Sequence, residues 1–381
     1  QRMANSPEGI EKITRKGAVR LISKLLENSA NDKAFEPTVA PMLRLLSSIT
    51  SNPAAKQLAI KQGVKDAIVT LMNNNLNNES VQNLGGNILV DCVASEDIVE
   101  CARFLAEQAQ LKGEVNKGAL QSNLNLIASF AQGGNNAKAF IDLGVAQTLV
   151  VILADAVSWE DEEERLLAVN AISKALGSIA SKEALDDSMQ AVPWLLHALK
   201  ITESATVLQA VTAVATTDAN VASLIAGGGV ETIIALVQKH SNDQAISAAG
   251  FQAMARMAAS GETAVDKITQ SGGLMICKDF LENGVETATP EQQLEAMTLM
   301  SHLVSQEASA TYINHSGGIE VMFDLIDQEM AKEEPNAKTI QAGLNMLATA
   351  ARTPAVAASI AHKGDMRNLI QSIEKAKLGK D

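Results

Sequence analysis

Residues 316–326 read SGGIEVMFDLI, a pair of glycines followed at once by an apolar run. The same order occurs in SGGLMICKDFL (271–281) and GGGVETIIALV (227–237). Glycines before an apolar segment occur in phosphate-binding loops and also at corners between helices. A phosphate loop requires GxxxxGK followed by Ser or Thr, and the chain has no such stretch. A nucleotide site also needs one such loop rather than several, so the pattern predicts a structural corner.

The corner belongs to an internal repeat, in which an isoleucine precedes a glycine by three or four residues and an apolar run follows. The seven glycines in this position are Gly17, Gly63, Gly144, Gly228, Gly272, Gly317 and Gly364. Two of the spacings between them are near twice the others, which predicts one further repeat inside each long gap. Segments 96–111 and 186–200 have the apolar run there without the glycine. The sequence predicts one domain over 1–381 with about nine repeats, degenerate near 96–115 and 182–200.

An alanine-rich segment follows each apolar run and predicts a longer third helix. In residues 163–181, EERLLAVNAISKALGSIAS, apolar side chains recur at steps of three and four, which is the period of an α-helix. Aromatic residues make up only 3% of the chain, and the apolar content is mainly Ala, Leu, Ile and Val. This composition favours closely packed helices over sheets, and the fold class is predicted to be all-α.

These repeats resemble armadillo repeats. Residues 225–237 (IAGGGVETIIALV) and 141–153 (IDLGVAQTLVVIL) match the first half of the family pattern, and 174–180 (KALGSIA) matches the second half. HEAT repeats are the near alternative, and the glycine corner favours armadillo. The resemblance implies a right-handed superhelix whose third helices line a concave groove for an extended peptide or a partner protein.

The resemblance also implies which residues line this groove. In the nuclear-import adaptors of the family, each third helix presents a Trp and, four residues later, an Asn. The matching pairs here are Arg44/Ser48, Asn87/Asp91, Asn125/Ser129, Lys174/Ser178, Thr212/Thr216, Gln252/Arg256, Thr298/His302 and Asn345/Thr349. None is Trp/Asn, which counts against nuclear import. Such polar side chains can hydrogen-bond the backbone of an extended peptide, and the alternative is a merely solvated face.

A second candidate site is the acidic stretch SWEDEEER at residues 158–165. It is expected to place an exposed Trp159 beside Glu160, Asp161, Glu162 and Glu163, where a basic partner could dock. The alternative interpretation is that these carboxylates stabilise the start of the following helix.

Other patterns argue against catalysis and against binding of nucleic acid, membrane or metal. The formal net charge of −13 disfavours nucleic acid, and no apolar run is long enough to predict a membrane span. The five histidines are dispersed, and Cys92, Cys101 and Cys277 form no CxxC and are expected to be buried free thiols. We therefore expect no metal, no cofactor and no enzymatic activity.

The functional prediction is a protein-interaction scaffold or adaptor. Family usage suggests a cytoplasmic setting, with a cytoskeletal or ciliary (axonemal) assembly as one form of it. The alternative is a client-binding co-chaperone of the myosin-assembly type, and a nuclear transport adaptor is the third hypothesis. End-to-end self-association is also expected, because terminal repeats expose apolar faces unless they are capped.

Overall fold

The computed structural model describes residues 7–29, 36–50, 52–75, 79–90, 95–111, 115–133, 135–283, 289–332 and 334–362. In these ranges the regular secondary structure consists of α-helices and one 3-10 turn, without a β-strand. The all-α prediction is confirmed. The contacts divide the chain into two compact units, Gln1–Trp194 and Leu195–Asp381, called the N-terminal and C-terminal units below.

In its described residues the N-terminal unit contains eleven α-helices and the beginning of a twelfth. They are α1 (Pro7–Arg15), α2 (Ala18–Ser29), α3 (Glu36–Thr50), α4 (Pro53–Lys61), α5 (Val64–Asn74), α6 (Glu79–Val90), α7 (Ser95–Ala109), α8 (Lys117–Phe130), α9 (Asn136–Asp142), α10 (Val145–Ala156), α11 (Glu162–Ala180) and α12 (Ala191–Thr202).

The C-terminal unit begins within α12, and its described residues up to 362 form eleven further helices. They are α13 (Ala205–Val214), α14 (Asp218–Ala226), α15 (Gly229–Lys239), α16 (Gln244–Ala258), α17 (Glu262–Gln270), α18 (Gly273–Asn283), α19 (Pro290–Leu303), α20 (Glu307–His315), α21 (Gly318–Met330), α22 (Ala337–Ala350) and α23 (Pro354–His362).

The glycine corners separate the first and second helices of the repeats, as the sequence predicted. Six of the seven predicted glycines have left-handed backbone, with φ between 72° at Gly63 and 94° at Gly272, and Gly364 lies outside the described residues. The helices on the two sides of the corner diverge sharply, by 71° between α9 and α10 and by 70° between α14 and α15. Side chains disfavour left-handed backbone, and glycine adopts it without that cost.

Side-chain caps start most of the third helices. Asn116, Asp161, Ser204, Asp243, Thr289 and Asn336 each accept a hydrogen bond from a backbone N–H in the first turn of the helix that follows. These bonds satisfy donors that have no partner inside the helix. The caps therefore fix where each third helix begins, and with it the register of the side chains that it exposes.

The two repeats without a corner glycine differ from the others. In the repeat near 96–115, α7 leads to α8, and the described residues contain no short helix ahead of α7. In the repeat near 182–200, a 3-10 turn at Asp187–Met189 stands where the short first helix is found elsewhere. The prediction that all nine repeats form one domain stays a prediction.

No single helix in the described ranges has both the length and the apolar composition needed to cross a membrane. Two bent pairs, α9 with α10 and α14 with α15, reach that composition only when their two helices are taken together.

Candidate partner-binding surface

The third helices of successive repeats pack side by side within each unit. In the N-terminal unit α3 packs on α6, α6 on α8, and α8 on α11. In the C-terminal unit α13 packs on α16, α16 on α19, and α19 on α22. We call the outward-facing residues of these helices the third-helix surface of each unit. Third helices also pack on the second helix of their own repeat, for example α11 on α10 and α16 on α15, so one side of such a helix is buried.

The predicted groove residues differ in exposure. Those that are exposed are Arg44, Asn87, Lys174, Thr216, Gln252, Arg256 and Asn345, of which Thr216 lies just beyond the end of α13. Those that are half-buried are Ser48, Ser129, Ser178, Thr298, His302 and Thr349. Asn125 and Thr212 are buried, with 8% and 4% of their surface exposed, and Asp91 lies outside the described residues. Apart from Thr216, the exposed members are three cationic side chains and three amides, all of which can donate hydrogen bonds to a peptide backbone.

Most of the predicted hydroxyl groups are engaged inside their own helices. Ser48, Ser129, Thr212, Thr298 and Thr349 each donate to the backbone carbonyl four residues earlier, at 2.7–3.0 Å. A hydroxyl has one proton, so in this arrangement these groups can only accept a bond from a partner. The amide and cationic side chains are therefore the donors of the third-helix surface.

Two of the predicted residues do not lie on an open surface. Thr212 is buried in α13, and its backbone carbonyl accepts a hydrogen bond from the guanidinium of Arg256 on α16 at 3.2 Å. On α8, Asn125 is buried one turn before Ser129. A Cβ on Gly86 of α6 would lie only 2.5 Å from the Ser129 hydroxyl oxygen, so α6 and α8 approach closely here. This close approach is one reason that α8 exposes less than its sequence predicted.

Burial shifts the pKa of two titratable side chains near the third-helix surface of the C-terminal unit. Burial raises the pKa of Glu295, and the charge of Glu291 raises it further. The amide of Gln252 donates to Glu295 at 3.3 Å, which lowers that pKa in part. Burial lowers the pKa of His302 below its ordinary value, so its imidazole is neutral at pH 7. The exposed positive charge on α16 and α19 is thus carried by Arg256.

Helix capping accounts for part of the acidic stretch. Asp161 is the N-cap of α11, and its carboxylate accepts the backbone N–H of Glu164 at 2.9 Å. Glu162 and Glu163 lie in the first turn, where the helix dipole favours negative charge. These residues and Glu160 are nevertheless exposed, so they also make this surface acidic.

Trp159 is half-buried rather than exposed, which corrects the expectation from sequence. Its indole N–H donates to the Asp155 carboxylate at 3.0 Å, and Arg165 donates to its backbone carbonyl at 2.8 Å. The ammonium of Lys117 lies 5.3 Å from the centre of the indole ring and also pairs with Glu164. These contacts hold the ring between the first turns of α8 and α11.

A small cavity of about 250 Å³ lies beside this ring. Its walls include Leu120 and Leu124 of α8, Leu167 and Ala168 of α11, and the Trp159 ring. Lys117 and Glu164 also line it. Sequence reasoning missed this cavity because Lys117 precedes its ion-pair partner by 47 residues and belongs to the preceding repeat. The Asp155–Trp159 spacing of one helical turn is the only local signal of the arrangement.

The cysteine side chains have a structural rather than a reactive environment. Cys101 and Cys277 are free and buried, as expected, whereas Cys92 lies outside the described residues. Burial raises the pKa of Cys101 to about 12 and that of Cys277 further. Within the part of the chain that the structure describes, His, Cys, Asp and Glu side chains form no group of three that could hold a metal ion. A second, more polar cavity of about 660 Å³ lies between α17 and α20 and includes His302 in its lining.

Comparison with protein-family models gave no match, and comparison with the curated proteins gave none either. Solved structures are similar in fold. A designed armadillo repeat protein is 17% identical, with a TM-score of 0.53 over 65% of this chain and 99% of the designed one. Another designed armadillo repeat protein, in complex with the peptide (KR)4, is 20% identical, with a TM-score of 0.50 over 64% and 98%.

A third similar structure covers more of the chain. It comes from a study of a phosphorylation switch that controls the interaction between cadherin and beta-catenin. It is 14% identical, with a TM-score of 0.56 over 93% of this chain and 69% of the other. At these identities the likeness concerns the fold. It confirms the predicted armadillo-type α-solenoid.

Proposed function

We propose that this armadillo-type solenoid is a protein-interaction scaffold that binds a partner protein or an extended peptide along its third-helix surface. The observation that carries the proposal is the set of exposed donor side chains on the third helices of both units. Asn87 and Lys174 lie on this surface in the N-terminal unit, and Gln252, Arg256 and Asn345 lie on it in the C-terminal unit. An extended peptide offers a carbonyl at every residue, which such donors can bind without selecting its side chains.

The similar structures support this class of ligand. One of the designed armadillo proteins is in complex with a peptide, and the third structure concerns the interaction between cadherin and beta-catenin. A repeat array also offers a long surface and stacks its helices against one another, whereas enzymes favour deep pockets. The proposed scaffold has no catalytic activity of its own.

The cellular setting belongs to the same proposal. We place the protein in the cytoplasm, in association with the cytoskeleton or a cilium, because the armadillo arrays that it resembles recur in such assemblies. The net charge of −13 supports protein partners over nucleic acid, and end-to-end self-association through terminal repeats is part of the proposal.

A matched pair of variants tests the surface. The surface variant carries Asn87→Ala, Lys174→Ala and Asn345→Ala, and the control carries Arg20→Ala, Gln147→Ala and Gln238→Ala on second helices. Each removes one cation and two amides from exposed positions. Affinity purification from the source cell with quantitative mass spectrometry should show partners lost from the surface variant and kept by the control. Circular dichroism checks that both variants fold. Loss from both variants, or from neither, would contradict the third-helix surface as the binding site.

A further inference from the structure

The cavity beside Trp159 has an apolar interior and a charged rim. Leu120, Leu124, Leu167 and Ala168 supply aliphatic walls, and the indole supplies an aromatic one. Leu167 is 43% exposed, so a large apolar side chain faces solvent here although its neighbours are packed. Apolar area left in water favours a ligand that covers it.

The aromatic wall is held in place before any ligand arrives. The indole N–H is fixed by Asp155 at 3.0 Å, and the Trp159 carbonyl by Arg165 at 2.8 Å. The Lys117 ammonium lies over the ring at 5.3 Å from its centre. A side chain that is already ordered loses little further conformational entropy when a ligand packs on it.

The cavity continues the third-helix surface of the N-terminal unit. On α8, Lys117 and Gln121 line the cavity and lie about three and two turns before the half-buried Ser129. On α11, Leu167 lies seven residues before the exposed Lys174, and residues seven apart lie on the same face of a helix. A peptide lying on Lys174 would therefore reach the cavity by following α11 towards its N-terminus.

The size of the cavity indicates what can occupy it. At about 250 Å³ it falls below the roughly 300–1,000 Å³ of cofactor and drug-sized sites. It suits one inserted side chain. The aliphatic walls select an apolar one.

The charge around the cavity indicates the residues that flank this side chain. Glu160, Asp161, Glu162 and Glu163 stand between the lining residues Trp159 and Glu164. The two cations nearby are already engaged, Lys117 with Glu164 and Arg165 with the Trp159 carbonyl. The rim is therefore complementary to lysine and arginine.

We propose that this cavity is an anchor site for a partner segment that inserts one apolar side chain and flanks it with Lys or Arg. The proposal rests on the proposed function, of which it names the ligand chemistry and one end of the binding path. The inserted side chain packs on Trp159 and Leu167, and the basic flanks face the acidic residues 160–163 at the start of α11.

Peptide selection tests the proposal without a known partner. A phage-displayed library of random peptides is selected on the full chain, and the enriched peptides are titrated by fluorescence anisotropy. We expect enriched peptides with an apolar residue beside Lys or Arg, and a loss of affinity of about tenfold or more when that residue is changed to alanine. Binding should also change the emission of Trp159, measured in a Trp194→Phe background that leaves Trp159 as the only tryptophan.

Two variants of the chain distinguish binding in the cavity from nonspecific binding to exposed apolar side chains. Leu167→Glu places a charge at the cavity wall and should abolish binding of the enriched peptides. Val151→Glu makes the same kind of change at a residue of α10 with 49% exposure, outside the cavity, and should leave binding unchanged. Both sites are exposed, so both variants should fold, as circular dichroism will check.

Three outcomes would overturn the proposal: no enriched peptides, enriched peptides without the apolar and basic combination, or peptides that bind Leu167→Glu as well as the parent chain. These outcomes concern the anchor cavity alone. If they occur while the Asn87, Lys174 and Asn345 variant still loses its cellular partners, the proposed function stands without the anchor. If that variant keeps all its partners, the proposed function itself fails.

Discussion

At the scale of single residues, the corner glycines carry the clearest physical requirement. Gly144 has φ of 73°, and a Cβ built on it would meet nothing within 4 Å. Space is therefore available for a side chain, and the requirement for glycine comes from the backbone conformation alone. The same holds for Gly317, with φ of 84° and open space around it.

Alanine at Gly144 should destabilise the chain by about 1–2 kcal/mol, because left-handed backbone disfavours a Cβ. The matched control is Gly118→Ala inside α8, where the nearest atom to a Cβ is the Asn116 side-chain oxygen at 3.9 Å. That change should stabilise by about 0.5 kcal/mol, since it reduces the freedom of the unfolded chain. Urea unfolding followed by circular dichroism measures both. Shifts of the same sign would contradict the assignment of the corner.

Individual surface residues were harder to predict than the corners. The repeat register placed the groove pairs on third helices, but it did not show that Thr212 and Asn125 are buried. Burial depends on how closely neighbouring helices approach, and Gly86 lets α6 come near Ser129 of α8. Such an approach joins residues 43 positions apart in the sequence (129 minus 86), and a local pattern does not contain it.

At the scale of helices, capping sets the beginning of each third helix. Asp243 is the example with two bonds, since its carboxylate accepts the backbone N–H groups of Ala245 at 2.9 Å and Ile246 at 3.0 Å. Helix α16 carries Gln252 and Arg256, so its register decides where two of the exposed donors lie. The cap thus connects a local hydrogen bond to the candidate binding surface.

Removing this cap by Asp243→Ala should cost about 1 kcal/mol, because two backbone donors lose their acceptor. Hydrogen exchange by NMR or mass spectrometry should show faster exchange at Ala245 and Ile246 in the variant. Asp243→Asn keeps an acceptor oxygen and should stay near the parent rate. Unchanged protection at both amides in Asp243→Ala would show that the cap does not hold the start of α16.

Helix identity and order followed from the sequence because the signals are local. The Ile–Gly corner, the apolar run and the alanine-rich third segment each reflect contacts within one repeat. The Trp159 cavity was not predictable in the same way. Its Lys117 and Leu120 belong to one repeat, and its Trp159 and Leu167 to the next. The acidic stretch is visible in the sequence as a charge pattern. The cavity beside it forms only because α8 packs on α11.

At the scale of the whole molecule, each unit presents a row of third helices with exposed donors. The N-terminal unit adds the Trp159 cavity and the acidic residues 160–163 at the start of α11, and the C-terminal unit carries Arg256 as its exposed cation on α16. The net charge of −13 makes the chain as a whole attractive to basic partners, and salt will screen the exposed part of that attraction. The proposed scaffold would select its partners by many contacts spread over these surfaces.

Site-specific photo-crosslinking in the source cell tests directly whether partners bind on the third-helix surface. Benzoylphenylalanine is placed singly at Lys174 or Asn345 on third helices, and at Gln147 or Gln238 on second helices as controls. All four positions are exposed, so each probe can reach a bound protein. If partners bind on the third-helix surface, adducts should form at Lys174 and Asn345, and none above background should form at the control positions. Adducts that form only at Gln147 and Gln238 would contradict binding on the third-helix surface.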